Sequence, residues 1–146
     1  MAGEKTKRTI NKNSARGPVG VRREIIVDSG ASQHMIGINQ LRASEKESIR
    51  DLSVPFFVQT AHGVVPCAKE ARIYIHDLKQ WVWAQLLEDS PAVLSLGLLC
   101  TQMGYSYYWE EGEEQSYLVK NGKTISCKTV CNVPHSLVRD SSGSAA

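Results

Sequence analysis

Features that would place a protein in a membrane or a secretory pathway are missing from this chain of 146 residues. No apolar run reaches the ~18 residues that a membrane-spanning helix needs, and the longest, from Pro91 to Cys100, is about half that length. The N-terminus is polar and basic and lacks the apolar core of a signal peptide. The sequence therefore predicts a protein that is neither inserted in a membrane nor secreted.

Cysteine and histidine are too scattered to indicate a metal centre. The chain has four cysteines without a C-x-x-C spacing, and its four histidines are dispersed along the sequence. Because nothing indicates secretion, reduced thiols are expected rather than disulfides. We therefore expect no metal site and no other cofactor.

Positive charge is concentrated at one end of the chain. Residues 1–23 hold seven basic residues and one acid, a net charge of +6, so the rest of a chain whose total is +2 carries −4. Such a segment is either a solvated linker or an arm that contacts nucleic acid. The linker is favoured, because no aromatic residue is present there to stack on bases.

Composition divides the chain into three segments. Residues 1–20 lack hydrophobic periodicity and are rich in Lys, Asn, Gly and Ser, which predicts a disordered basic tail. Residues 139–146 end in S-S-G-S-A-A and are predicted to be a flexible C-terminal tail. One folded domain is expected between them, over residues 21–138.

Short β-strands predominate in this domain. Segments 24–27, 54–60, 64–76 and 81–87 are rich in β-branched residues or alternate between apolar and polar, which predicts strands. The dipeptide Asn121-Gly122 predicts a hairpin between two further strands. Helical signals are weak, with one short helix expected over residues 97–103. The fold class is therefore predicted to be mostly β, a barrel or a sandwich.

A single Asp-Ser-Gly sequence is the part of the chain best suited to chemistry. The apolar residues before Asp28 form a strand that delivers this acid into a turn, and Gly30 lets backbone amides approach the carboxylate. The hydroxyl of Ser29 is placed to hydrogen-bond across a symmetric partner. The alternative is an ordinary turn at the end of a strand, because Asp, Ser and Gly are common turn residues.

Two motifs resemble those of copia-type retrotransposon aspartic proteases, which are relatives of the retroviral retropepsins. Residues 28–35 read D-S-G-A-S-Q-H-M and are similar to the D-S-G-A-S-x-H-M signature of that family. Residues 86–97 read L-L-E-D-S-P-A-V-L-S-L-G and resemble the strand and the hydrophobic–hydrophobic–Gly loop that end the retropepsin core. The resemblance covers residues 23–105 and assigns no role to residues 107–138.

The resemblance implies a retropepsin-like closed β-barrel with a flap hairpin and one short helix, assembled as a homodimer. The flap would have its tip at Ala61-His62-Gly63, which matches an Ala-x-Gly turn common in this interval of copia-type elements. An ordinary surface hairpin is the alternative interpretation. His34 belongs to the signature, and a structural role is the expectation for it.

The resemblance also supplies the candidate site residues. The catalytic candidates are Asp28, Ser29 and Gly30. The substrate-binding candidates are Ala31, Ser32, Gln33, Leu96, Gly97 and the flap residues Ala61, His62 and Gly63.

Two positions depart from the retroviral pattern. Retroviral enzymes commonly have an Asp at the position of Ser32 and an Arg at the position of Leu98, and these two residues form an ion pair. Both charges are absent here together, so neither is left buried without a partner.

One motif per chain determines the expected mechanism. Aspartic proteolysis needs two carboxylates that share one proton, so the second Asp28 must come from another copy. The resemblance implies an endopeptidase that processes its own Gag-Pol-type polyprotein, in the cytoplasm or within virus-like particles. The alternatives are a domesticated, catalytically silent dimerisation module and, on the basic tail alone, a nucleic-acid-binding protein.

Overall fold

The computed structural model describes residues 23–60, 63–130 and 133–136, which form ten strands and two short α-helices. The strands are β1 (Ile25–Asp28), β2 (Met35–Gly37), β3 (Arg50–Thr60), β4 (Gly63–Ile75), β5 (Gln80–Leu87), β6 (Ala92–Ser95), β7 (Ser106–Tyr108), β8 (Gln115–Lys120), β9 (Lys123–Val130) and β10 (Val133–Ser136). The helices are α1 (Ala43–Lys46) and α2 (Leu96–Thr101), and Ile38–Gln40 forms a 3-10 turn. The predicted tails, residues 1–20 and 139–146, lie outside the described residues.

All ten strands belong to one sheet, which confirms the mostly-β prediction. Their order across the sheet is β3-β4-β5-β2-β6-β1-β10-β9-β8-β7. The closed barrel is not formed, because β3 and β7 are the two ends of this order and do not pair within the described residues. The three-residue β7 offers little ladder to close on, and short edge strands are one way in which proteins avoid further pairing.

The open sheet nevertheless encloses one core. A single cluster of buried apolar side chains contains Ile73 from β4, Leu94 from β6, Leu99 from α2 and Leu118 from β8. Residues from distant positions in the strand order meet in this cluster, so the sheet curls around a shared interior. Burial of this apolar surface is the main favourable contribution to the fold.

The predicted strands are found with shifted ends. In β5 the alternation is as expected, with Val82, Ala84 and Leu86 buried and Trp83 on the other face. In β4 the alternation fails at Tyr74, which lies between the buried Ile73 and Ile75 and is itself only 3% exposed. The Tyr74 ring packs edge-on against Trp81 and His76, so the outer face of the sheet is itself partly covered there.

The hairpin prediction at Asn121-Gly122 is confirmed. Both residues have positive φ, 52° and 77°, and they connect the paired residues Lys120 and Lys123. Positive φ at both positions is what the tight hairpin turn requires, and Asn-Gly adopts it at low cost. The predicted helix over 97–103 is α2, whereas α1 was not predicted, because its four residues are too few to show a helical period.

Strands β1, β6 and β2 set the position of the site. Strand β6 lies between β1 and β2, parallel to β1 and antiparallel to β2. The segment that joins β1 to β2, residues 29–34, must therefore cross the end of β6. The register places Asp28 beside Ser95, so the Asp-Ser-Gly turn and the second motif meet at one end of these strands.

Strands β7, β8, β9 and β10, nearly all of whose residues had no assigned role, form an antiparallel meander. Strand β10 pairs with β1 through Ile25–Ser136 and Ile26–His135, so the meander extends the sheet on the far side of the Asp28 strand. The C-terminal part of the chain is thus an integral part of the fold next to the site.

Candidate active site

The carboxylate of Asp28 stands at the end of a buried strand. Ile25 and Val27 anchor β1 in the core, while Asp28 is half-buried. One carboxylate oxygen, Oδ1, accepts a hydrogen bond of 2.7 Å from the N–H of Gly30. A Cβ at Gly30 would lie 3.3 Å from that oxygen, so glycine allows this close approach. The turn therefore holds one oxygen of the carboxylate in place.

Ser95 links the Asp-Ser-Gly turn to α2. It is 1% exposed, and its Oγ donates a hydrogen bond of 2.7 Å to the carbonyl oxygen of Ala31. The same Oγ accepts the N–H of Leu98 at 3.1 Å and so caps the N-terminus of α2. Sequence reasoning quoted Ser95 within the second motif but gave it no role. A serine just before a predicted helix is a common N-cap, so the sequence did contain a signal for the role of Ser95.

His34 is bound into the same network. Its Nδ1 accepts the N–H of Ser95 at 3.0 Å, and its carbonyl oxygen accepts the N–H of Gln85 at 2.8 Å. Burial lowers the pKa of this imidazole from 6.5 to about 4. His34 is therefore a neutral acceptor that joins the segment after the turn to β5 and β6, in keeping with the structural role expected for it.

A pocket of about 300 Å³ opens beside Asp28. It is lined by Val27, Asp28, Ser29, Leu96, Tyr107, Trp109, Val133 and Pro134. Three of the predicted site residues, Asp28, Ser29 and Leu96, thus share one cavity. Its other walls come mainly from the C-terminal meander, which the sequence resemblance does not cover.

The remaining predicted residues do not all gather at this pocket. Ser32 and Gln33 are exposed, and Gln33 lines a second pocket together with Trp81, Trp83 and Leu98. Leu98, where retroviral enzymes have an Arg, is half-buried there. Gly97 is exposed at the start of α2.

The predicted flap corresponds to the outer half of the β3–β4 hairpin. Thr60 pairs with Gly63, so Ala61 and His62 connect the strands and lie outside the described residues. Val54, Phe57 and Val64 are all more than half exposed on this hairpin. Its outer half is therefore a two-stranded ribbon with little packing against the core, an arrangement that is marginally stable by itself.

Three acids away from the Asp-Ser-Gly turn, Asp51, Asp77 and Asp89, differ in exposure. Asp51 and Asp89 are exposed, and Asp51 pairs with Lys69 across the β3–β4 ladder. Asp77 is half-buried in the turn between β4 and β5.

Cysteines and potential metal ligands do not form a centre in the described part of the chain. Cys67, Cys100 and Cys127 carry no disulfide, and Cys131 lies outside the described residues. Over residues 23–60, 63–130 and 133–136, no three His, Cys, Asp or Glu side chains lie close enough to hold a metal ion together. In the same ranges no helix has both the length and the apolar character needed to cross a membrane.

Neither the models of known protein families nor the sequences of curated proteins give a match to this chain.

Proposed function

We propose that this chain is an aspartic endopeptidase of the retroelement kind, active as a homodimer that pairs two copies of Asp28. The observation that carries the proposal is the position of Asp28, half-buried at the end of β1 with one oxygen held by the N–H of Gly30 and a pocket beside it. The polypeptide substrate is proposed to be the polyprotein of the same element, processed in the cytoplasm or in virus-like particles.

The chemistry follows from two carboxylates that share one proton, because like charges about 3 Å apart cannot both ionise. The ionised carboxylate takes a proton from a water molecule, whose oxygen attacks the scissile carbonyl carbon. The protonated carboxyl gives its proton to the carbonyl oxygen. When the tetrahedral intermediate collapses, the C–N bond breaks and the leaving nitrogen is protonated by the carboxyl that accepted the water proton. A hydroxyl of the intermediate gives its proton to the other carboxylate as the C=O bond re-forms, which restores the singly protonated pair.

The surroundings of Asp28 support this assignment. The Asp28 and Ser95 strands are parallel neighbours, and Ser95 ties the Asp-Ser-Gly turn to α2, so the carboxylate stands on rigid elements. The exposed outer half of the β3–β4 hairpin is suited to closing over an extended peptide.

Asp28→Asn tests the proposal. Purified wild-type and variant proteins are incubated with a mixture of synthetic peptides, and the products are read by mass spectrometry. We expect the variant to lose cleavage by about a thousandfold or more, because the removed group takes part in the reaction itself. Asp89→Asn, which changes an exposed acid elsewhere, should cut normally. Wild-type cleavage by Asp28→Asn would refute the proposal, and absence of cleavage by the wild type would favour the silent dimerisation module.

Mixing the two proteins tests the shared site. In a freely exchanging equimolar mixture, about one quarter of the dimers contain two wild-type chains. If both carboxylates are needed, activity should fall to about one quarter of that of the same total amount of wild type. A fall to one half would show that each chain acts alone.

A further inference from the structure

The second pocket lies along an edge of β5 that no described strand covers. On one side β5 pairs with β4 from Gln80 to Gln85, whereas on the other side β2 begins only at the pair Met35–Gln85. The pocket has a volume of about 410 Å³ and is lined by Gln33, His34, Trp81, Val82, Trp83, Leu98, Gln102 and Met103. None of these residues belongs to β4, so the pocket occupies the other side, between the start of β5 and the end of α2.

Two hydrogen bonds establish which way the backbone of β5 faces. Partners in an antiparallel pair alternate between exchanging hydrogen bonds and directing their backbone groups away from each other. In β4, the N–H of Arg72 donates to Ser48 Oγ at 2.7 Å, away from β5. In β5, the N–H of Gln85 donates to the carbonyl oxygen of His34 at 2.8 Å, away from β4. Trp83 is the ladder partner of Arg72 and lies two residues from Gln85, so its N–H and C=O also point away from β4, toward the pocket.

The neighbouring edge of β4 has side-chain partners that Trp83 lacks. Where β3 no longer covers β4, the hydroxyl of Ser48 accepts the N–H of Arg72 and donates to its carbonyl oxygen at 3.3 Å. Glu45 accepts the N–H of Tyr74 on the same edge. Within the described residues, no such group reaches the N–H and C=O of Trp83. A donor and an acceptor side by side on a sheet edge are the groups with which an extended peptide pairs.

The side chains around the pocket suit an apolar residue of such a peptide. Leu98 and Met103 are half-buried on the helix side, and Trp83 is 37% exposed on the strand side. Gln33 and Gln102 are exposed and supply amide groups at the rim. The volume lies within the range of about 300–1,000 Å³ that is usual for ligand pockets. The edge therefore offers backbone pairing and a place for one side chain together.

Positive charge lies next to the tryptophans of β5. The guanidinium of Arg72 stands over the ring of Trp81, 4.5 Å from its centroid, and forms no ion pair with any described residue. Arg50 stands over the ring of Trp83 at 3.5 Å, but its charge is paired with Glu70. The charge of Arg72 thus favours an acidic residue in whatever binds beside it.

We propose that the edge of β5 at Trp83 is a docking site for an extended peptide segment of another protein, which adds to the sheet as a strand in line with β2. One apolar side chain of the peptide enters between Trp83 and Met103, and one acidic side chain reaches Arg72. The N-terminal segment of the same chain is a poor occupant, because residues 1–20 hold five basic residues and one acid. The two pockets share no lining residue, so this site is separate from Asp28 and does not depend on proteolysis.

Selection from a random peptide library tests the site. A phage-displayed library of linear twelve-residue peptides is selected on the Asp28→Asn protein, so that no cleavage interferes. Enriched peptides are synthesised with a fluorescent label, and fluorescence anisotropy gives their Kd. We expect enriched sequences to share an apolar and an acidic residue at a fixed spacing. A library from which nothing is enriched would overturn the inference.

Substitutions at the pocket, made in the same background, locate the bound peptide. Gln102→Trp places a ring in the pocket and should raise Kd by about tenfold or more through steric exclusion. Gln115→Trp makes the same change at an exposed glutamine of β8 and is the matched control, which should leave Kd unchanged. Arg72→Gln should raise Kd by about threefold, because it removes one exposed charge contact. Equal Kd values for Gln102→Trp and the unsubstituted pocket would overturn the inference.

Methylated peptides separate strand addition from simple filling of the pocket, because they leave the protein unchanged. An N-methyl group removes the amide hydrogen that would pair with the carbonyl oxygen of Trp83. A scan of singly N-methylated peptides should show a sensitive position that loses about tenfold in affinity, with insensitive neighbours whose amides face away. A scan without a sensitive position would refute strand addition. A synthetic peptide of residues 1–20 that binds and is excluded by Gln102→Trp would assign the edge to the chain itself and overturn the assignment to another protein.

Discussion

His34 is the buried titratable residue closest to the network around the Asp-Ser-Gly turn. Because its Nδ1 accepts the N–H of Ser95, the neutral ring carries its hydrogen on Nε2. Burial lowers its pKa to about 4 in the folded chain, against about 6.5 in an unfolded one. Between these values the unfolded chain binds a proton that the folded chain does not, so stability must fall as the pH is lowered.

We therefore expect His34 to make the protein lose about 2 kcal/mol of unfolding free energy between pH 7 and pH 5. His34→Asn keeps an acceptor near the position of Nδ1 and removes the titration. Urea denaturation of both proteins at several pH values measures the difference. The variant should be less stable at pH 7, because a smaller side chain leaves space, but should lose less stability on acidification. Parallel losses in the two proteins would contradict the expectation.

Glu45 is a fully buried carboxylate that holds three segments together. Its oxygens accept hydrogen bonds from the Arg23 guanidinium at 2.5 and 2.7 Å and from the backbone N–H groups of Arg42 and Tyr74, both at 2.9 Å. Burial raises the pKa of Glu45, but the hydrogen bonds from Arg23, Arg42 and Tyr74 and the charge of Arg23 outweigh it and leave the pKa below 4.5. Its contribution to stability is thus present above pH 4.5 and lost as the pH falls through the lowered pKa.

Glu45→Gln should lower the unfolding free energy by about 3–5 kcal/mol, because it leaves the buried Arg23 charge without its counterion. The matched control is Asp51→Asn, whose exposed pair with Lys69 should contribute less than about 1 kcal/mol. Urea midpoints at pH 7 compare the two. Equal effects would show that the buried pair is energetically no different from the surface pair.

At the scale of elements, β4 combines two environments in one strand. Its second half, Ala71 to Ile75, is buried apart from Arg72, and its first half belongs to the exposed outer hairpin. Amide hydrogen exchange should therefore be fast at Val64 and Val65 and slow at Ile73 and Ile75, because exposed ladders open locally at low cost. Uniform protection along β4 would show that the outer hairpin is as stable as the core.

The elements also show where sequence reasoning stops. The alternation in β5 and the Asn-Gly hairpin were predictable, because both signals are local. The short strands β2 and β7 were not predicted, since three residues do not establish a period. Their pairing depends on neighbours that are remote in the sequence.

At the scale of the whole molecule, the ion pair between Arg23 and Glu45 ties the start of the described chain to the core. Arg23 was counted in the basic segment of residues 1–23, although the folded domain was predicted to begin at residue 21. The structure places its guanidinium against Glu45 and the carbonyl oxygens of Gln40 and Tyr74. Its positive charge therefore neutralises a buried carboxylate. The count of basic residues alone did not distinguish a cation of an ion pair from a solvated charge of the tail.

Two truncations test this boundary. Removing residues 1–20 should leave the melting temperature unchanged, because that segment has no apolar periodicity to bury. Removing residues 1–23 should lower the melting temperature by roughly 10 °C or more, because Glu45 is then buried without the Arg23 counterion. For a chain of this size, each kcal/mol of lost stability lowers the melting temperature by about 4 °C or less. Thermal unfolding followed by circular dichroism measures both. A large loss in the shorter truncation would show that the tail contributes to the fold.

The sequence by itself determined the mostly-β class, the Asn121-Gly122 hairpin turn and the Asp-Ser-Gly segment, because local backbone preference and side-chain alternation decide these features. Only the tertiary structure decided that β6 lies between β1 and β2 and that Ser95 and His34 support the turn. It also decided that the wall beside Asp28 comes from Tyr107, Trp109, Val133 and Pro134. Those contacts join residues about sixty or more positions apart, and they form because burying the inner face of the curled sheet brings remote strands together. No local pattern contains that information.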